Sequence, residues 1–124
     1  LTTHPDLPVS LSHSNDYTAS ACCKDKEKTL GIDIEKITKK PDAYFMKTAF
    51  TQNEIAHLKD DAAQIFKNWT IKEAYLKYIK KGFNESLHRV EVINNEILHN
   101  NNKINVDVFS TFIDDDYILS LVSD

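Results

Sequence analysis

Within the segment LGIDIEKI, residues 30–37, Asp33 and Glu35 stand two apart in an otherwise apolar run. In an extended strand successive side chains alternate between faces. Both carboxylates therefore share one face with Gly31, and Leu30, Ile32 and Ile34 share the other. Neighbouring carboxylates repel unless they are solvated, protonated or bridged by a cation. A solvated outer strand face accounts for such a pair as readily as chemistry does. The chemical alternative is a hard-cation site, because Mg²⁺ favours a few carboxylate oxygens together with water and phosphate.

Further along, WTIKEAYLK places Glu73 on a helical row with Trp69 and Phe66 that is otherwise apolar. An i,i+4 pair with Lys77 would account for it, at about 0.2–0.5 kcal/mol. A carboxylate beside Trp on a core-facing row is nevertheless costly unless it is paired or metal-bound. A helix packed across the strand would let Glu73 supply a third oxygen ligand. His13 lies in PVSLSHS among Ser10, Ser12 and Ser14. A lone histidine is usually a surface or packed side chain, but hydroxyls around it can help to cradle a phosphate. Lys72 and Lys77 straddle Glu73, and Lys80 and Lys81 continue the basic end. Such lysines are ordinarily a solvated face; here they also suit a phosphorylated ligand or an acidic partner. The chain shows no serine triad, zinc spacing or glycine-rich phosphate loop, and its only glycines are Gly31 and Gly82.

The elements that must position these residues follow from periodicity. PVSLSHS alternates with a period of two and predicts a short strand, SND a turn, and YTASACCK the return strand. Pro41 breaks the chain before a helical middle. TQNE, Thr51 to Glu54, has the form of a capping box. AAQIFKNWTIKEAYLKYIKK predicts the longest helix, closed by Gly82, with Ile65, Trp69, Lys72, Leu76 and Ile79 as one stripe. Trp69 is expected to be structural. RVEVI, EILH, KINVDVFSTFI and YILSLVS read as strands, with turns at Asn94–Asn95, HNNN and DDD. The expected fold is α+β, two or three helices packed on a mainly antiparallel sheet, forming one domain over residues 1–124.

Bulk properties narrow the function classes. The 124 residues are 41% hydrophobic and 27% charged, ordinary for a globular domain. A net charge of −4 argues against a general nucleic-acid or membrane binder. No apolar run approaches the roughly 18 residues needed to span a bilayer. The start, LTTHPDLPVSLSHS, lacks the form of a signal peptide. Cys22 and Cys23 are adjacent and read as buried strand thiols, which fits a cytoplasmic location. Leu1 is not methionine, so a piece of a longer chain is expected.

The ordered set PVSLSHS, LGIDIEKI, FTQNE and WTIKEAYLK, across residues 8–83, resembles the 4′-phosphopantetheinyl transferase superfamily. The histidine-containing first segment is similar to that of the longer, surfactin-synthetase-activating type. The resemblance implies transfer of the 4′-phosphopantetheine moiety of coenzyme A to a serine of an acyl or peptidyl carrier protein, with release of 3′,5′-ADP. Carried over by motif position, it implies that Asp33, Glu35 and Glu73 bind Mg²⁺. Glu73 would also be a base for the carrier serine, and Lys77 would neutralise the departing phosphate. Ser12, His13, Lys72 and Lys77 would contact coenzyme A. The longer type has two similar halves, and most of the first is absent here. That implies either a fragment or a homo-oligomer that completes the cleft. A non-catalytic carrier-binding half-domain and an unrelated Mg²⁺-dependent phosphohydrolase remain as alternatives.

Overall fold

The computed structural model describes residues 9–14, 17–22, 28–80 and 85–124. Strands β1 (Val9–Ser14), β2 (Tyr17–Cys22) and β3 (Leu30–Lys36) precede helices α1 (Ala43–Ala49), α2 (Gln52–Leu58) and α3 (Ala62–Tyr78). A 3₁₀ turn at Leu87–Arg89 leads into β4 (Val90–Ile93), β5 (Glu96–His99), β6 (Asn102–Lys103), β7 (Asp107–Ile113) and β8 (Tyr117–Ser123). The expected α+β fold is what forms. The strands make an antiparallel sheet ordered β3-β8-β7, a meander β4-β5-β6 and a hairpin β1-β2. The long predicted strand 103–113 is interrupted, with Lys103 in β6 and Asp107 opening β7.

Turn chemistry sets these registers. Asn94, Asn95, Asn100 and Asn101 all have positive φ, as the central residues of two-residue hairpin loops require. Asp114 and Asp115 also have positive φ, in the three-residue β7–β8 connection. Asn and Asp tolerate that left-handed region better than other non-glycine residues. At the end of α3 the left-handed residue is Lys80, so the helix stops before the predicted Gly82, which lies outside the described residues.

Helix α3 organises two apolar clusters. Ile71, Ala74, Tyr75 and Leu76 pack on Val90, Val92, Ile97 and Val122. At its other end Ile65 joins Met46, Ala49, Phe50 and Leu58. Trp69 is packed but only half-buried, its ring meeting Phe45 and Phe50 edge-on at centroid separations of 5.2 and 6.3 Å. Its role is structural, with less burial than the stripe predicted. Cys22 is exposed, contrary to the expected buried thiol, and Cys23 lies outside the described residues.

Between the clusters sits a buried ion pair. The Lys72 ammonium, fully enclosed, donates to Glu54 Oε1 at 2.7 Å, to the Ala49 carbonyl at 2.8 Å and to the Leu87 carbonyl at 2.9 Å. Burial pushes the Lys72 pKa down, and Glu54 opposes that shift. Glu54 also accepts from the Thr51 amide through Oε1 and from the Val92 amide through Oε2. The predicted capping box is therefore present, and its glutamate is a core residue as well.

The sheet meets α3 at Gly31. A Cβ there would collide with the Ala74 carbonyl and the Tyr78 amide, so only glycine permits this approach. The face carrying Gly31, Asp33 and Glu35 is thus covered by a helix, and not simply solvated.

Two stability measurements check these contacts. Lys72→Met should lower stability by about 3–5 kcal/mol, because it strands a buried carboxylate. Gly31→Ala should cost at least about 1–3 kcal/mol, since the obstruction is backbone and has little room to yield. An unchanged melting midpoint in either variant would contradict the corresponding packing.

Candidate functional site

The crossing of α3 over β3 determines which side chains meet. Asp33 and Glu35 come from the strand, Glu73 and Lys77 from the helix, one turn apart on the same side. The Lys77 ammonium donates to the Ile32 carbonyl at 3.0 Å, the Leu11 carbonyl at 3.1 Å and Asp33 Oδ1 at 3.3 Å. It therefore ties β1, β3 and α3 together at one point. Its side chain remains one-third exposed, so a ligand can still approach it.

Asp33 is buried, and its two oxygens differ. Oδ1 accepts from Ser12 Oγ at 2.9 Å as well as from Lys77. Oδ2 is buried and has no hydrogen-bond partner. Burial raises the Asp33 pKa, while Lys77 and the hydroxyl of Ser12 oppose that. Glu35 is pushed up to about 8, first by burial and then by its interaction with the neighbouring Asp33 and by the charge of Glu73. Glu73 is raised by burial and by Asp33, with Lys77 and Lys72 acting against it. Burial is the first cause for all three carboxylates; Asp33 makes Glu35 and Glu73 harder to ionise, Glu73 does the same to Glu35, and Lys77 is the cation that relieves all three. Among the described residues, no three acidic, histidine or thiol groups form a closed ligating cluster. The donor set nevertheless suits a hard divalent cation: all oxygen, overloaded with negative charge, with one buried carboxylate oxygen unsatisfied.

Other expected site residues fall differently. Lys72 does not face this centre; its three protons are spent on Glu54, Ala49 and Leu87, and nothing of the side chain is exposed. Its assignment to coenzyme A is corrected to a core role. Ser12 is also corrected: its hydroxyl is buried, donating to Asp33 and accepting from the Ile34 amide at 3.0 Å. His13 stands on β1 with its side chain exposed, free to meet a ligand. Sequence reasoning missed the way Ser10 and Ser14 hold β1 beside β3. The regular S-x-S-x-S spacing was the available signal.

A helix crosses an antiparallel sheet over a glycine, and three carboxylates and a lysine gather at the crossing, an acidic centre in an α+β fold. The family model described as the 4′-phosphopantetheinyl transferase superfamily matches residues 29–122. The chain is 32% identical over 100 residues to L-aminoadipate-semialdehyde dehydrogenase-phosphopantetheinyl transferase of Homo sapiens, covering 71% of this chain and 32% of that protein. It is 34% identical over 82 residues to 4′-phosphopantetheinyl transferase gsp of Aneurinibacillus migulanus, covering 62% and 33%. To the 4′-phosphopantetheinyl transferase of Bacillus subtilis it is 28% identical over 94 residues, covering 71% and 40%. The chain belongs to the 4′-phosphopantetheinyl transferase superfamily. It spans about a third of the length of the human and Aneurinibacillus relatives. No helix among the described residues is long and apolar enough to cross a membrane.

The raised carboxylate pKa values predict an unusual stability profile. A folded-state pKa near 8 for Glu35, above its ordinary 4.5, means the folded protein holds a proton that the unfolded chain releases. That contribution is complete below about pH 4.5 and is lost as pH rises through about 8. In chelator, the melting midpoint should fall between pH 5 and pH 8 (roughly the window set by those two values). Mg²⁺ should restore it, more at the alkaline end. A midpoint independent of both pH and Mg²⁺ would show that the three carboxylates do not interact.

Proposed function

We propose that this chain carries the acidic centre of an enzyme that transfers 4′-phosphopantetheine from coenzyme A to a serine of an acyl or peptidyl carrier protein. Support comes chiefly from the meeting of Asp33, Glu35 and Glu73 beside Lys77, in a chain of this superfamily. On this reading Asp33, Glu35 and Glu73 hold Mg²⁺. Bound there, the ion supplies Lewis-acid charge to the pyrophosphate oxygens.

In the reaction, the carrier serine oxygen bonds to the phosphorus that bears pantetheine. The bond from that phosphorus to the bridging oxygen breaks, and 3′,5′-ADP leaves with the electron pair. The serine proton passes to Glu73, directly or through water. A carboxylate with its pKa raised by burial is better matched to that task near neutral pH. Lys77 faces the charge that develops on the departing phosphate. Exposed His13 contacts a phosphate of coenzyme A, whereas Ser12 and Lys72 act elsewhere.

An acidic carrier would approach through the basic groups at this end of the molecule: Lys36 closing β3 and Lys39 after it, with Lys77 in the last turn of α3 and Lys80 just beyond it. Lys40, also in this stretch, is already paired with Asp60. Lys81 lies outside the described residues. Coenzyme A is larger than this face can enclose, so its nucleotide end needs a second basic wall. A second copy of the chain or a separate stretch of polypeptide would supply it. The expected cytoplasmic location belongs with this reading.

Mass spectrometry of an apo-carrier protein incubated with coenzyme A, Mg²⁺ and the chain tests the proposal. One added phosphopantetheine per carrier is expected, with Glu73→Gln slower by about 10²–10⁴-fold. Carrier KM should rise with salt, since exposed charge steering is screened. Nucleotide release that needs no carrier would point to a phosphohydrolase instead. Carrier binding without transfer would leave the non-catalytic half-domain.

A further inference from the structure

Strand β1 lies along the edge of β3, but side-chain hydroxyls make the attachment. Ser10 Oγ accepts from the Ile32 amide at 2.9 Å, Ser12 Oγ from the Ile34 amide at 3.0 Å and Ser14 Oγ from the Lys36 amide at 3.2 Å. Each pair is separated by 22 residues, so the two strands run parallel and in step. The period of two then puts Leu11 and His13 on the side away from β3, and both are exposed.

Ser12 differs from its two neighbours. It alone spends its proton on the acidic centre, donating to Asp33 Oδ1 at 2.9 Å. Lys77 binds the same oxygen, so Oδ1 is doubly engaged while Oδ2, equally buried, has no partner. The two oxygens of one carboxylate are thus sorted into a held atom and an available atom. Mg²⁺ demands near-ideal octahedral geometry, which a carboxylate held by one oxygen and binding through the other serves well.

We propose that Ser12 is a positioning residue for the carboxylate centre: its proton fixes Asp33 through Oδ1, leaving Oδ2 as the single-oxygen ligand for a hard divalent cation. This rests on the metal-centre reading given above and deepens it. The same hydroxyl accepts from the Ile34 amide, so one side chain couples seating of the β1–β2 hairpin to presentation of the ligand. His13, the next residue, is placed by the same contact. Outer hydrogen bonds of this kind orient metal ligands, and losing one typically weakens metal binding roughly 10–100-fold.

Calorimetric titration with Mg²⁺ and Mn²⁺, alongside melting midpoints, separates this from a purely structural role. Ser10→Ala and Ser12→Ala each remove one bond between β1 and β3, so both should melt earlier. Only Ser12→Ala should lose divalent-cation affinity, by about tenfold or more. Ser10→Ala should stay within about twofold of the parent chain, as expected for a residue with no contact to the centre. Ser12→Thr keeps the hydroxyl and should recover most of the affinity. If Ser12→Ala does not fold, Ser12→Cys retains the volume with a weak donor and should show the same selective loss. Equal weakening in the Ser10 and Ser12 variants, or no weakening in Ser12→Ala while the parent binds, would overturn the proposal alone. A parent chain that binds neither cation would overturn the metal-centre reading and this proposal with it.

Discussion

The Glu54–Lys72 pair is the constraint on which the rest of the structure depends. An ammonium and a carboxylate without solvent contact are tolerable only when every donor and acceptor finds a partner. Here the partners come from the end of α1, the cap of α2, the middle of α3, the 3₁₀ turn and β4. Few packings of these segments satisfy all of those bonds together.

That arrangement sets the helix over the sheet. Lys72 and Lys77 are five residues apart, so they project about 140° from one another around α3. With Lys72 fixed toward α1 and α2, Lys77 must emerge on the side of β3. Glu73, one helical turn before Lys77, emerges beside it. Gly31 then allows the backbones to approach until the helix carboxylate and the strand carboxylates share one environment. Their raised pKa values follow first from burial and, for Glu35 and Glu73, also from the neighbouring carboxylates. The same geometry keeps them near Lys77, the cation that lowers the cost.

Much of this was legible in the sequence where the signal is local. The Asn–Asn turns, the capping box and the shared face of Asp33 and Glu35 all follow from spacings of two to four residues. The family resemblance named the residues that meet at the crossing. What could not be seen was partnership across the fold. Lys72 and Lys77 occupy one motif and look alike, yet burial sends one to Glu54 and leaves the other partly exposed. The serines of β1 looked like phosphate ligands because hydroxyls suit both tasks; only the proximity of β3 decides between them. The spacing of β3 likewise gave no sign that α3 would cross at Gly31.

The hydroxyl attachment of β1 also makes an edge that discriminates. An ordinary strand edge offers amides and carbonyls to any extended chain, whatever its sequence, and so invites unwanted pairing. At Ile32, Ile34 and Lys36 the amides are answered instead by three serines at alternate positions. A strand of valine or leucine could not make those bonds from the same distance. Recognition that is usually written in the backbone is written here in side chains. The edge of β3 therefore favours a particular sequence, and a passing strand without that spacing finds little to hold.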